Sequence, residues 1–501
     1  MSAARQCKIL SVLAALASGF MGTARAREPD VSGLRAYDLP GYTIITHDDN
    51  TASKMVPSIA AVEQVLSNLL SRDIAPTGRP THVYIVRLGL WRRYLQPADL
   101  FSGEFHATRF ADYLMAANSG DRAEVRRSVM HLFTHRHMHT QYGGVYPLWF
   151  DEGLAELMSV AELRTSQVLL GQVHLSGNAW IPLNRLLRID RSAPEYLSMV
   201  SSGSLHAESW ALVHQAFIGE PALKEQMLAY LRDANDLMPV DDAVQKNFRM
   251  DVSQLNAKVM AYANDPSWRT DSVPFTRIPT PELGAGREIP EDEALVMLAT
   301  AMLDTGSRPD RVGEVIDSLE KQAPGSPAAW SLRMRMAARD RDDALLDQLW
   351  NLIEPKTQAP TVARDAGFAL FERIQREREN DRMPAPDRAG LRDRAFALLD
   401  RALAANPDDV EASWAYAKLA ADLKRDLDKA LQRLKHASEL MPKNAELASA
   451  AALLHEARGD TGAMIASLED TVRFTSSLEL KLWARERLGK MRVGAPPLGS
   501  N

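Results

Sequence analysis

Apolar positions recur with a period near two in the first part of the chain and with a helical period throughout the last. Tyr42 to His47 (YTIITH) is β-branched and strand-like, and Val83 to Val86 (VYIV) is a continuous apolar run of the kind buried on both faces. Between them, Pro57 to Leu70 places Ile59, Val62, Val65, Leu66 and Leu69 on one side of a helix. Phe105 to Ala116 predicts a third strand, with helical character at its end. Asp121 to His139 predicts a helix whose apolar stripe is Val125, Val129, Leu132 and Phe133, Val168 to Leu175 a short strand around Gly171, and Leu205 to Phe217 another helix. Pro266, Pro274, Pro279, Pro281 and Pro290, with Gly284 and Gly286, then break any helix and predict an extended linker or an edge strand over 266–290. From Glu291 the periodicity is helical throughout. The pattern divides the chain into a mixed α and β domain over 31–265, the linker, and an all-α domain over 291–492.

The helical part repeats. Asn406-Pro407-Asp408-Asp409 returns as Met441-Pro442-Lys443-Asn444, a shift of 442 − 407 = 35 residues. That spacing is close to the 34 residues of tetratricopeptide repeats. The small residues Ala417, Ala420, Ala430 and Ala437 let paired helices approach closely. The repeat is clearest over 390–475, and Pro324 and Pro355 mark weaker, earlier units. Stacked helix pairs make a surface suited to peptide or protein.

Residues 1–26 read as an export signal. Arg5 and Lys8 precede a short apolar run from Ile9 to Met21, and Ala24-Arg25-Ala26 is an A-x-A cleavage site. Removing that segment takes the charge from −6 to (59 − 3) − 65 = −9, and it removes Cys7, the only cysteine. The mature chain would be periplasmic or secreted, without disulfides, thiol nucleophile or membrane span. A mildly acidic chain without a basic cluster argues against nucleic acid as partner.

The candidate chemistry lies between His131 and Glu156, in HLFTHRHMHTQYGGVYPLWFDEGLAE. His131 and His135, four apart on a helix, place both imidazoles on one face. After a turn at Tyr142–Pro147, a second helix offers Glu152, with Glu156 one turn on. Two His from one helix and a Glu from the next make a three-ligand, open zinc site of the catalytic type. His137 and His139 extend the run of histidines, and their spacing predicts another face, a polar surface at the helix end. His214 reads as a packed core histidine.

HxxTH followed by WFDEGLAE resembles the gluzincin zinc peptidases, in particular a bacterial branch with helical repeats behind the peptidase-like domain. The resemblance implies an α+β metallopeptidase-like domain followed by an all-α tetratricopeptide-like domain. It implies zinc held by His131, His135 and Glu152, with Glu156 supporting a ligand histidine. It further implies an edge strand beside the zinc helix where an extended peptide pairs, and His206 is a candidate oxyanion donor. The sequence departs at one place. The glutamate of HExxH, which takes the proton from zinc-bound water, is Leu132 here. A general base is worth about 10²–10⁴ in rate, so hydrolysis is expected to fall to a trace.

Three readings follow: an exported pseudo-peptidase that keeps zinc and binds peptide or protein through the cleft or the repeats; a weak hydrolase with His137, His139, Glu104 or Asp151 as proton carrier; and a metal-free helical scaffold.

Overall fold

A computed structural model describes residues 28–71, 77–96, 103–172, 180–197, 199–265, 268–274, 280–353, 359–380 and 385–494. Residues 1–26, read from the sequence as an export signal, lie outside them. Pro40-Gly41 forms a two-residue turn that joins β1 (Arg35–Leu39) to β2 (Tyr42–Thr46). Gly41 takes a φ of 87° there, a conformation glycine adopts without strain. β2 runs parallel to β3 (Thr81–Arg87), and β3 parallel to β5 (Asp112–Asn118). β4 (Gly103–Ala107) closes one edge antiparallel to β5.

Phe105 to Ala116 is therefore a hairpin rather than one strand. Thr108 N–H donates to Ala111 C=O and closes the turn, and that turn contains neither Gly nor Pro. The helix after β2 also starts earlier than its apolar stripe suggests. α1 spans Asp49–Leu70, because the Asp48 carboxylate accepts the Asn50 and Thr51 N–H groups and caps it. Pro57 sits inside.

The sheet is covered on both faces. Ile44, Val83, Ile85 and Leu114 face α1 and α2 (Arg122–Arg136), whereas Ile45, Tyr84, Val86 and Met115 face the first repeat helices. That two-sided burial explains the unbroken VYIV run. α3 (Leu148–Ser159) packs on α2 and on α4 (Met199–His214). α5 (Pro221–Asn235), α6 (Val240–Phe248) and α7 (Val252–Ala263) complete this layer.

A second sheet joins β6 (Glu162–Leu163), β7 (Gln167–Leu170) and β8 (Asp271–Pro274). The strand around Gly171 ends at Leu170, and 173–179 lie outside the described residues. β9 (Arg287–Glu288) pairs antiparallel with β1, so the proline-rich stretch contributes strands to both sheets.

Eleven helices follow among the described residues. They are α8 (Glu291–Thr305), α9 (Val312–Gln322), α10 (Pro327–Arg339), α11 (Asp343–Ile353), α12 (Pro360–Asn380), α13 (Ala385–Ala405), α14 (Val410–Leu423), α15 (Leu427–Leu440), α16 (Ala445–Arg458), α17 (Thr461–Phe474) and α18 (Leu478–Gly494). The first helices of the last pairs begin at 410 and 445, and α18 at 478, giving shifts of 35 and 33 residues. Ala417, Ala420, Ala430 and Ala437 are all buried between them. No helix among the described residues is long and apolar enough to cross a membrane.

The helical layer wraps the first. Tyr84 Oη donates to the Met297 carbonyl, and Arg93 pairs with Glu314 at 2.9 Å. Phe110, at the hairpin turn, meets Trp414 edge-on at 5.7 Å. The last helices return to the other side: Gly144 N–H donates to Thr475 C=O, and Arg485 pairs with Asp236 at 2.8 Å.

Candidate metal centre

α2 begins on the Asp121 cap, whose carboxylate accepts the Ala123 and Glu124 N–H groups. Its apolar stripe, Val125, Val129 and Phe133, packs into the core and turns His131 and His135 toward α3. α3 starts at Leu148 and presents Asp151, Glu152 and Glu156 to them. The structure thus brings together every residue the spacing selects. Glu152 Oε2 lies 3.4 Å from Nε2 of His131, 3.4 Å from Nε2 of His135 and 3.3 Å from Nε2 of His206. The Nε2 atoms of His131 and His135 are 3.0 Å apart.

The far ring nitrogens are engaged by acids. His131 Nδ1 lies 3.4 Å from Glu156 Oε1, and His135 Nδ1 lies 2.9 Å from Asp151 Oδ1. A carboxylate beside Nδ1 favours the tautomer protonated there, which leaves Nε2 as a lone pair. Two such lone pairs and a carboxylate oxygen then face one another within 3.4 Å, which requires a positive charge among them. In the bare protein that charge is a proton. Burial disfavours the His135 imidazolium, but Asp151 and Glu152 outweigh it and push its pKa up to about 10. Burial likewise works against the Glu152 carboxylate, and His135 overcomes it and holds the carboxyl well below its usual range.

A divalent metal is the other way to supply the charge. Ligand atoms on a tetrahedron with bonds of about 2.0–2.1 Å stand about 3.3–3.4 Å apart. His131 Nε2, His135 Nε2 and Glu152 Oε2 match that spacing closely, so the donor set fits zinc. His135, His139 and Asp151 form a second such grouping that shares His135.

Two sequence expectations change here. His137 was expected on a polar surface, but it is fully buried and lies 3.4 Å from Glu63. His137 lies one α-helical turn beyond Phe133, its ring 6.4 Å from the Phe133 ring, so it continues the buried apolar stripe; the helix widens into a π-turn only after it, over His137–Gln141. His139, four residues beyond His135, stays on the ligand face, with Nε2 2.9 Å from Asp151 Oδ2. Of the four candidate proton carriers, His137 therefore points away from the donors, and Asp151 is held by His135, His139 and Arg191. Glu104 lies on β4, 3.0 Å from His106.

Leu132 is buried and packs over Gly103 of the edge strand. His214 is a buried core residue, with Nδ1 2.7 Å from Tyr262 Oη. Sequence reasoning missed Arg191, whose guanidinium reaches Asp151 at 2.8 Å and lies over Tyr196. It also missed Tyr196, whose hydroxyl burial and the nearby Glu152 carboxylate hold protonated.

β4 borders this site. Phe105 stacks on His135 and tilts against His139. Hydrogen-bonded and non-bonded pairs alternate in an antiparallel ladder. With Thr108 bonded to Ala111, the main-chain polar groups of Phe105 and Ala107 point away from β5, toward the open edge.

No protein-family model matches the chain, and no curated protein matches it. A thermophilic TPR protein of Thermus thermophilus is similar at 17% identity and a TM-score of 0.31, over 40% of this chain and 99% of that one. YrrB, a TPR protein with an unusual peptide-binding site, is similar at 14% identity and a TM-score of 0.29, over 38% of this chain and 91% of that one. Likeness at this level carries no argument, and the helix-pair architecture rests on its own geometry.

Proposed function

We propose that this chain is an exported gluzincin-like pseudo-peptidase. It holds zinc on His131, His135 and Glu152, lacks the general base, and binds an extended peptide or protein segment. The observation that carries the reading is the meeting of three imidazole Nε2 atoms on Glu152 Oε2, two of them backed by acids at Nδ1. Leu132 at the place of the proton carrier gives the reading its second half. Export rests on the leader pattern at 1–26, and the tetratricopeptide-like character of the repeats on the 35- and 33-residue shifts.

Zinc there would polarise a carbonyl oxygen and acidify a bound water. The protein's own residues supply the rest. Glu156 and Asp151 orient the two imidazoles, and Arg191 anchors Asp151. His206 and Tyr196 stand beside Glu152 as hydrogen-bond donors to a bound carbonyl. The outward main chain of Phe105 and Ala107 offers an edge on which an extended peptide adds as a strand. Nothing at Leu132 can accept a proton from water.

The test is metal analysis of purified protein together with a peptidase assay of the unaltered chain and of Leu132→Glu. The expected result is one zinc per chain, negligible hydrolysis by the unaltered protein, and a gain of about 10²-fold or more with the glutamate. Absence of zinc after refolding with excess metal sinks the metal half. Ready hydrolysis by the unaltered protein sinks the other.

A further inference from the structure

A cavity of about 540 Å³ opens on the far side of the wide turn that follows His135. Four separate pieces of the fold build it: Leu70 at the end of α1, the 138–150 segment between the two helices of the metal centre, α5, and the loop ends of the last repeats. Its floor is aromatic and aliphatic. Tyr142, Tyr146 and Phe150 come from the 138–150 segment, Leu228 and Leu231 from α5, and Phe474 from the end of α17. Its rim is cationic. Arg232, Lys443 and Arg473 line it, all three side chains are exposed, and no Asp or Glu is among the lining residues. Among the described residues none of these three cations makes an ion pair. Asp233 and Asp236, beside Arg232 in sequence, pair instead with Lys246 and Arg485, each at 2.8 Å. The whole chain carries −6, so a hollow lined by three cations and no acid reverses the prevailing sign locally.

We propose that this cavity is a binding site for an organic anion with an apolar body, a carboxylate or sulfonate carried on a hydrocarbon or aromatic frame. The volume lies within the range of about 300–1,000 Å³ typical of ligand pockets, and a few polar groups on an apolar floor is their usual composition. The apolar body displaces water from the aromatic floor, and the acid group meets the cations at the rim. Asn235 adds a donor: its Oδ1 already accepts from Val145 N–H and from Lys481, and its amide nitrogen has no partner among the described residues. Because Arg232 belongs to the first layer and Lys443 and Arg473 to the repeats, the ligand bridges the two halves of the molecule. The site is independent of the metal reading, since none of its lining residues is a proposed zinc ligand.

The experiment is calorimetric titration of the full chain with decanoate, with decanol as the neutral control of equal length. It is repeated with Arg232→Glu/Lys443→Glu/Arg473→Glu and at two ionic strengths. The expected result is saturable decanoate binding at least tenfold tighter than decanol, weakened at least tenfold in the charge-reversed variant and weakened by salt. Because the three side chains are exposed, thermal unfolding and zinc content of that variant should match the parent. Equal binding of decanol, undiminished decanoate binding in the variant, or no binding to the parent overturns the proposal. Should the triple variant misfold, the salt dependence and the decanol comparison on the unaltered chain decide.

Discussion

Whether an imidazole serves a metal depends on which of its nitrogens carries the proton, and here acids on α3 make that choice. Asp151 lies 2.9 Å from Nδ1 of His135 and is itself held by Arg191. Asp151→Asn keeps the shape but removes the charge that favours Nδ1–H, so zinc affinity should fall about 10–100-fold. Competition against a chelating dye reads this directly, and an unchanged affinity would remove Asp151 from the site. Glu152→Gln should go further and reduce bound zinc from one per chain to near zero. The ligands were legible because 131, 135, 152 and 156 sit at helical spacings that survive folding. Arg191 and Tyr196 were not, because they reach the site from 40 and 196 − 151 = 45 residues beyond Asp151, where the four-residue helix Pro194–Leu197 is too short for periodicity to mark a face. His137 was misplaced because it was set only against the ligand face two residues back, whereas it also stands four beyond Phe133 and so falls on the buried stripe.

Helices α3 and α4 cross at Gly153, and that crossing sets the separation of Glu152 from His206. A methyl group on Gly153 would stand 2.6 Å from the Ser209 carbonyl carbon and 2.7 Å from Val213 Cγ2. Helix propensity alone predicts that Gly153→Ala stabilises by about 1 kcal/mol. The backbone contact predicts the opposite, a loss of about 1–3 kcal/mol as the helices part, with weaker zinc binding alongside. Chemical denaturation and a zinc titration of the same variant separate the two forces, and a more stable protein would refute the close crossing. The α3 helix and its glycine are plain in the sequence; the partner that makes the glycine necessary lies 56 residues on and is not. Likewise the β4–β5 hairpin hides in a run of apolar residues. Its turn, Thr108 to Ala111, is fixed by Arg79, which donates to the Arg109 and Ala111 carbonyls and pairs with Asp112 at 2.7 Å.

At the scale of the molecule, the repeats begin on the back of the first sheet and end against α5, an arrangement no local pattern encodes because its contacts join residues such as Asp236 and Arg485, 249 apart. Lys481 is the tightest point of that return. It is fully buried, and it donates to Asn235 Oδ1, which also accepts from Val145 N–H in the loop between the two helices of the metal centre. Burial, with Arg485 adding to it, drives the Lys481 ammonium down to about 8, against about 10.4 in an unfolded chain. A depressed lysine binds fewer protons folded than unfolded between those values. Its contribution to stability is therefore complete above about 10.4 and is lost as pH falls through about 8. Lys481→Met removes this dependence while Asn235 keeps its bond to Val145. The variant should thus be the more stable protein at pH 7, and the parent should recover ground on it as pH rises from about 8 toward 10. Thermal unfolding of both proteins across that range measures the difference. A gap that stays constant with pH would mean that the ammonium is solvated at the junction, and that the last repeat does not seal against the first layer.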